Sequence, residues 1–272
     1  MGNLSEYKPK QSLVSCALVL VLLQVVSPAA PPAYSMRIQK LLREAQETSL
    51  VPIKIVQMPF GPGQFQGHTD PSAQGFEIHV MVGPSKDYND ALLAHELSHV
   101  ILISRGFSGA HTVPPPKRPE STESARAIQF IMRQLGDCFP DELIDRQTSK
   151  RGFTPKLLLG RQIDLIVQDL ALFQVGEYES VSDLVKQAEA LKLFCLGKRL
   201  APSEMQNLEN RVKLKYGPSI IEREKRLSTQ FQDQRCGIDD PPQCVKLTLE
   251  LRDFVGMNGT IFFANPKTHK WE

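Results

Sequence analysis

The chain has 272 residues, 41% of them hydrophobic and 23% charged, which is ordinary for a globular protein and enough to bury a sizeable core in one or two domains. The net charge is +2 with no long basic run, so there is no electrostatic footprint for nucleic acid. No phosphate-binding glycine loop or dinucleotide fingerprint points to an organic cofactor.

In chain order, the first element is a targeting segment. Lys8 and Lys10 precede an apolar run from Leu13 to Val26, short for a membrane span, and Ser27-Pro28-Ala29 offers small residues for a cut after Ala29. Residues 1–29 are therefore expected to be a signal peptide, with an uncleaved N-terminal membrane anchor as the alternative, and the mature chain to be secreted, periplasmic or otherwise extracytoplasmic. Next, residues 74–83 alternate as a strand does. Phe76, Ile78, Val80 and Val82 face one way, and Glu77, His79 and Met81 the other.

The segment Ala91 to Leu102 then reads as an apolar helix, capped by Asn89 or Asp90 and stopped by Gly106. It contains His95-Glu96-x-x-His99. Residues four apart on a helix share a face, so His95 and His99 can direct two imidazoles at one metal ion, with Glu96 beside them to take a proton. Burying these polar groups among Leu92, Leu93, Leu97, Val100 and Ile101 is costly unless something pairs them, and zinc is such a partner.

At this motif the sequence resembles the zincin-like metallopeptidases, over roughly a fifth of the chain. The resemblance implies Zn2+ held by His95, His99 and a third protein ligand, a water in the fourth position, and Glu96 as general base. It implies an α+β zincin-like core of edge strand, active-site helix and second helix. The strand at 74–83 would border the cleft where an extended peptide pairs, with His79 either near substrate or simply facing solvent. The metzincin variant is excluded, because its Gly and third His positions hold Leu102 and Arg105.

The third ligand is left open by the residues. Pro119 to Ala125 opens a second helical pattern with the stripe Ile128, Ile131, Met132 and Leu135. Glu120 falls near the stripe's edge and is the first choice, as in Glu-zincins; Glu123 is second. The later acidic group Asp137, Asp141, Glu142 and Asp145, with Pro140 read as a helix start, offers Asp141 or Glu142 instead. His111, in a Gly- and Pro-rich loop, is expected to be exposed.

Beyond residue 150 helical spacing recurs over Pro155–Phe173, Ser180–Leu196, Pro202–Leu214, Ser219–Phe231 and Gln243–Phe254, followed by a short strand at Gly259–Phe263. The expected division is thus 30–150 for the metal-binding core and 151–272 for a helical C-terminal region. Removing the signal takes Cys16 and leaves Cys138, Cys195, Cys236 and Cys244. The last two would staple a short loop and the first two would form the other bridge. The combined expectation is an exported zinc metallohydrolase, most simply a peptidase acting on a peptide or protein, without a nucleic-acid partner. The alternative is a non-catalytic exported metal-binding or interaction protein that keeps the same helix.

Overall fold

The computed structural model describes residues 34–59, 66–72, 74–107, 122–172, 182–261 and 263. The expected signal peptide, His111 and Glu120 lie outside them. The described elements are α1 (Met36–Ser49), β1 (Ile53–Pro59), β2 (Gly67–Ser72), β3 (Gly75–Val82), α2 (Lys86–Ser104), α3 (Thr122–Lys150), α4 (Lys156–Leu172), α5 (Asp183–Gly197), α6 (Pro202–Tyr216), α7 (Pro218–Phe231) and α8 (Pro241–Phe254). The chain is α+β and mostly helical, with one small sheet among the described residues.

The sheet order is β1-β3-β2, with β3 parallel to β1 and antiparallel to β2. The strand read from the alternation is therefore the central one, not the edge. Phe76, Ile78 and Val80 are buried as their spacing requires, but neighbours pair with β3 on both sides. The edge near α2 is β2, whose sequence Gly67-His68-Thr69-Asp70-Pro71-Ser72 has no apolar alternation and is ordered by pairing with β3.

Helix α2 begins earlier than the sequence suggested. Ser85 is its cap, accepting from the Tyr88 amide at 3.2 Å, while Asn89 accepts from the Gly83 amide at 2.6 Å. It ends as expected at Gly106, which takes φ 91° while Phe107 N–H returns to the Leu102 carbonyl. Buried side chains occur on every side of α2, from Tyr88 and Ala91 through Leu97 to Leu102, so this helix is the centre of its layer rather than a surface helix.

Helix α3 differs most from expectation. It runs unbroken for 29 residues with Pro140 inside it. Proline forfeits one helical hydrogen bond, but Leu135, Phe139, Leu143 and Ile144, all at most 1% exposed, hold both sides of it in the core. Asp137, Asp141 and Asp145 consequently follow one another at four-residue intervals along one helical face.

Two hydrophobic clusters organise the described residues. One joins α1, the sheet and α2 through Ile38, Leu41, Ile78, Leu92 and Leu97; the other joins α3 to α5–α8 through Phe139, Leu191, Phe194, Phe231 and Leu251. Cys138 is bonded to Cys195, linking α3 to α5, and Cys236 to Cys244, the pairings expected. The strand expected at 259–263 is not formed at its described residues. Thr260 and Ile261 amides both turn back to the Met257 carbonyl, and Ile261 and Phe263 are buried in the helical cluster instead of pairing in a sheet. Among the described residues no helix is long and apolar enough to cross a membrane.

Candidate metal centre

The four-residue spacing on α2 brings His95 and His99 together with ring centroids 4.8 Å apart and Nε2 atoms 3.1 Å apart. Asp141 arrives from α3, placing Oδ1 at 3.4 Å from His95 Nε2 and 3.3 Å from His99 Nε2. A tetrahedral zinc with bonds of about 2.0–2.1 Å needs donor atoms about 3.3 Å apart, and all three separations lie close to that. The side chains of His95, His99 and Asp141 are only 12%, 18% and 14% exposed. Asp141 Oδ1, the oxygen aimed between the histidines, is buried without a hydrogen-bond partner, a costly arrangement for a lone carboxylate oxygen. The donor set and its spacing fit zinc.

Behind these residues lies a shell of charge. Arg199, 5% exposed, donates from Nη1 to Asp141 Oδ2 at 2.8 Å and from Nε to Asp145 Oδ2 at 2.7 Å. Its Nη2 reaches Asp145 Oδ1 at 3.2 Å. Arg199 thus ties down the Asp141 oxygen that faces away from the histidines and leaves Oδ1 facing them. Asp145 Oδ1 also lies 3.8 Å from His95 Nδ1, behind the ring, beyond hydrogen-bond distance, so Nδ1 is buried without a hydrogen-bond partner and Asp145 acts on it by charge alone. The disulfide reinforces this contact, since Cys138 stands three residues before Asp141 and Cys195 four before Arg199.

The electrostatics follow from this packing. Burial disfavours the His95 cation, but the Asp141 charge and short-range attraction, then Asp145 and the Glu96 charge, outweigh it and raise its pKa to about 10. Burial likewise opposes the Asp141 anion, yet Arg199 and the two histidines hold its carboxyl well below the usual range. This environment favours the protonated form of His95, and a metal binding there would have to displace a proton.

Glu96 is 4% exposed and leans on the edge strand. Its Oε2 accepts from the Thr69 hydroxyl at 2.8 Å. At Gly67 an added Cβ would stand 2.7 Å from Glu96 Oε1, so the strand closes on the carboxylate only because that position lacks a side chain.

Of the candidates read from sequence, His95 and His99 are brought together, and Asp141 joins them. Glu142, one residue on, points elsewhere: it meets Arg235 Nε at 2.6 Å, Lys198 Nζ at 3.4 Å and Arg146 Nε at 3.6 Å. Glu123 belongs to the first turn of α3, 18 positions before Asp141 on the same helix, and its side chain lies outside what the structure describes. His79 projects from the sheet face opposite Thr69 and stacks on His68. Arg199, Thr69 and Gly67 were not singled out by sequence reasoning, and Asp145 was named only as a member of the later acidic group. For Asp145 the spacing from Asp137 and Asp141 was a usable signal; for Arg199, 58 positions from its partner Asp141, there was none.

No known protein family, curated protein or solved structure matches the chain.

Proposed function

We propose that the protein is an exported zinc metallohydrolase of zincin-like design, most simply a peptidase, with His95, His99 and Asp141 as metal ligands and Glu96 as general base. The observation that carries this reading is the convergence of three donors at 3.1–3.4 Å, one of them an orphaned buried oxygen, on the helix that also bears a buried Glu96. Bound zinc would supply a Lewis acid and bring the pKa of a water down to about 7. The chain's own part is to orient and to move a proton. Arg199 fixes Asp141, Asp145 stands behind His95, and the Thr69 hydroxyl holds Glu96 Oε2 while the carboxylate accepts a proton and returns it to the leaving amine. Among the described residues no strand pairs with the outer edge of β2, which offers backbone groups to an extended peptide beside Glu96. A purely structural metal site has no need of Glu96, which favours hydrolysis over a passive metal-holding role. The two disulfides support an oxidising, extracytoplasmic setting.

The test is elemental analysis of dialysed protein, followed by peptide-library cleavage. Wild type should retain zinc that the His95→Ala, His99→Ala variant loses. Glu96→Gln should keep the zinc and lose cleavage. Wild-type protein prepared without chelators and free of bound metal would sink the reading.

A further inference from the structure

A second group of metal-binding side chains lies on the opposite face of the sheet and does not depend on the function proposed above. In the β2–β3 register His68 is opposite His79, and Asp70 is opposite Glu77. Strand alternation sends all four to one face, while Thr69 and Ile78 go to the other, toward α2. The result is a two-by-two array of two imidazoles and two carboxylates. Along each strand the donors already meet, His68 Nε2 with Asp70 Oδ2 at 3.1 Å and His79 Nε2 with Glu77 Oε1 at 3.0 Å. Across the strands the two rings stack in parallel, 3° from coplanar and with centroids 4.5 Å apart. One ligand atom from each of His68, Asp70 and His79 can be chosen so that all lie within 4.8 Å of one another. Lys54 takes the other Glu77 oxygen, Oε2, at 3.1 Å, leaving Oε1 toward His79.

We propose that His68, His79, Asp70 and Glu77 form a second binding site for a divalent transition-metal ion, one that fastens the edge strand β2 to β3. Two imidazoles with carboxylates suit zinc, copper(II) or nickel(II), not magnesium or calcium, which prefer oxygen donors. The His68 side chain is 37% exposed and that of His79 22%, so a hydrated ion can reach them and keep water ligands. The stacked rings stand somewhat farther apart than the about 3.3 Å edge of a tetrahedral site. The chosen ligand atoms lie within 4.8 Å of one another, so occupancy requires side-chain rotation to draw them in. Occupancy would cross-link the strand at the residue between Gly67 and Thr69, the two that touch Glu96 from the other face.

The experiment is a titration of metal-depleted full-length protein with zinc, read by calorimetry. His68→Ala, His79→Ala and His95→Ala, His99→Ala double variants are titrated beside it. Wild type should show two classes of site. The first variant should lose only the weaker class, and the second only the tighter class, so failure of one assignment is distinguishable from failure of the other. As a measurement free of mutation, nickel(II) added to wild type loaded with a single equivalent of zinc, which fills only the tighter site, should broaden the His68 and His79 ring resonances. The proposal is overturned if the His68→Ala, His79→Ala variant, folded by circular dichroism, binds as many equivalents as wild type. It is equally overturned if nickel leaves both rings unchanged.

Discussion

Asp141 and Glu142 are consecutive acids on one helix, with side chains 14% and 6% exposed, and they should fail in different ways. Asp141→Asn keeps the shape and still offers an oxygen to Arg199, which also retains both contacts to Asp145. What it removes is the charged donor 3.3–3.4 Å from both histidines. Disturbing a residue that merely supports a ligand costs roughly 10–100-fold in metal affinity, so loss of the ligand itself should cost at least about 100-fold, or about 2.7 kcal/mol. Glu142→Gln removes the one carboxylate shared by Lys198, Arg235 and Arg146 and leaves the Lys198 ammonium, with 0% side-chain exposure, without its anion. Breaking a buried pair from one side costs about 3–5 kcal/mol. Carbonyls of Phe231, Gln232 and Gln234 still receive the ammonium, which argues for the lower end. The assays are chelator-competition titration for zinc and denaturant unfolding of the metal-free protein. Asp141→Asn should lose zinc affinity, and in the metal-free protein it should also lose the stability its charge gives to the His95 cation, whereas Glu142→Gln should lose stability and keep zinc affinity. Wild-type affinity in Asp141→Asn, or a folded Glu142→Gln that binds zinc no better than Asp141→Asn, would refute the assignment by helical face. Glu120→Gln, run beside them, should bind zinc as wild type does.

Thr69→Val removes the hydroxyl that holds Glu96 Oε2, a hydrogen bond to a charged group worth roughly 1.5–3 kcal/mol. Cleavage should fall about tenfold or more in kcat while zinc content stays unchanged; a parallel loss of zinc would show that Thr69 supports the fold and not the base. Gly67→Ala puts a methyl 2.7 Å from Glu96 Oε1 and 3.1 Å from both the His79 carbonyl oxygen and Leu92 Cδ1. It should destabilise by about 1–3 kcal/mol and displace the carboxylate, seen as reduced turnover beside a lowered unfolding midpoint. The pH dependence follows from His95. Its pKa rises from 6.5 to about 10 in the folded metal-free chain, so its stabilising contribution is complete below about pH 6.5 and fades as pH climbs to about 10. Metal-free protein should therefore lose thermal stability over that range, whereas zinc-loaded protein, whose His95 cannot carry the proton, should lack that slope. Parallel curves for the two forms would count against His95 as a ligand.

The helix carrying His95, Glu96 and His99 was legible because local spacing alone decides it, and the later helices were legible for the same reason. The edge strand was not, since Gly67 to Ser72 has no pattern of its own and is ordered only by its partner β3. The choice among acids turned on Pro140. Reading it as a helix start separated Asp137 from Asp141 and Asp145 and hid their shared face, and only the burial of Phe139 and Leu143 around it reveals an unbroken helix. Asp141 was accordingly one candidate among several when the tertiary contact with α2 was unknown. Arg199 had no local sign at all, because its role exists only once α5 has packed on α3.

That last contact bears on how the chain can be divided. A fragment ending at Lys150 contains His95, Glu96, His99 and Asp141, and would look sufficient to anyone trimming the protein to its motif. It would nevertheless present Asp141 and Asp145 side by side with the one guanidinium that holds both of them removed, and with Cys138 left as a free thiol. Such a fragment should resist folding or bind metal with a disordered third donor, and adding a peptide of residues 182–261 in trans is the natural rescue. The helical half is in this sense part of the centre's electrical neutrality, and the two halves are not interchangeable modules that evolution or an engineer could exchange one at a time.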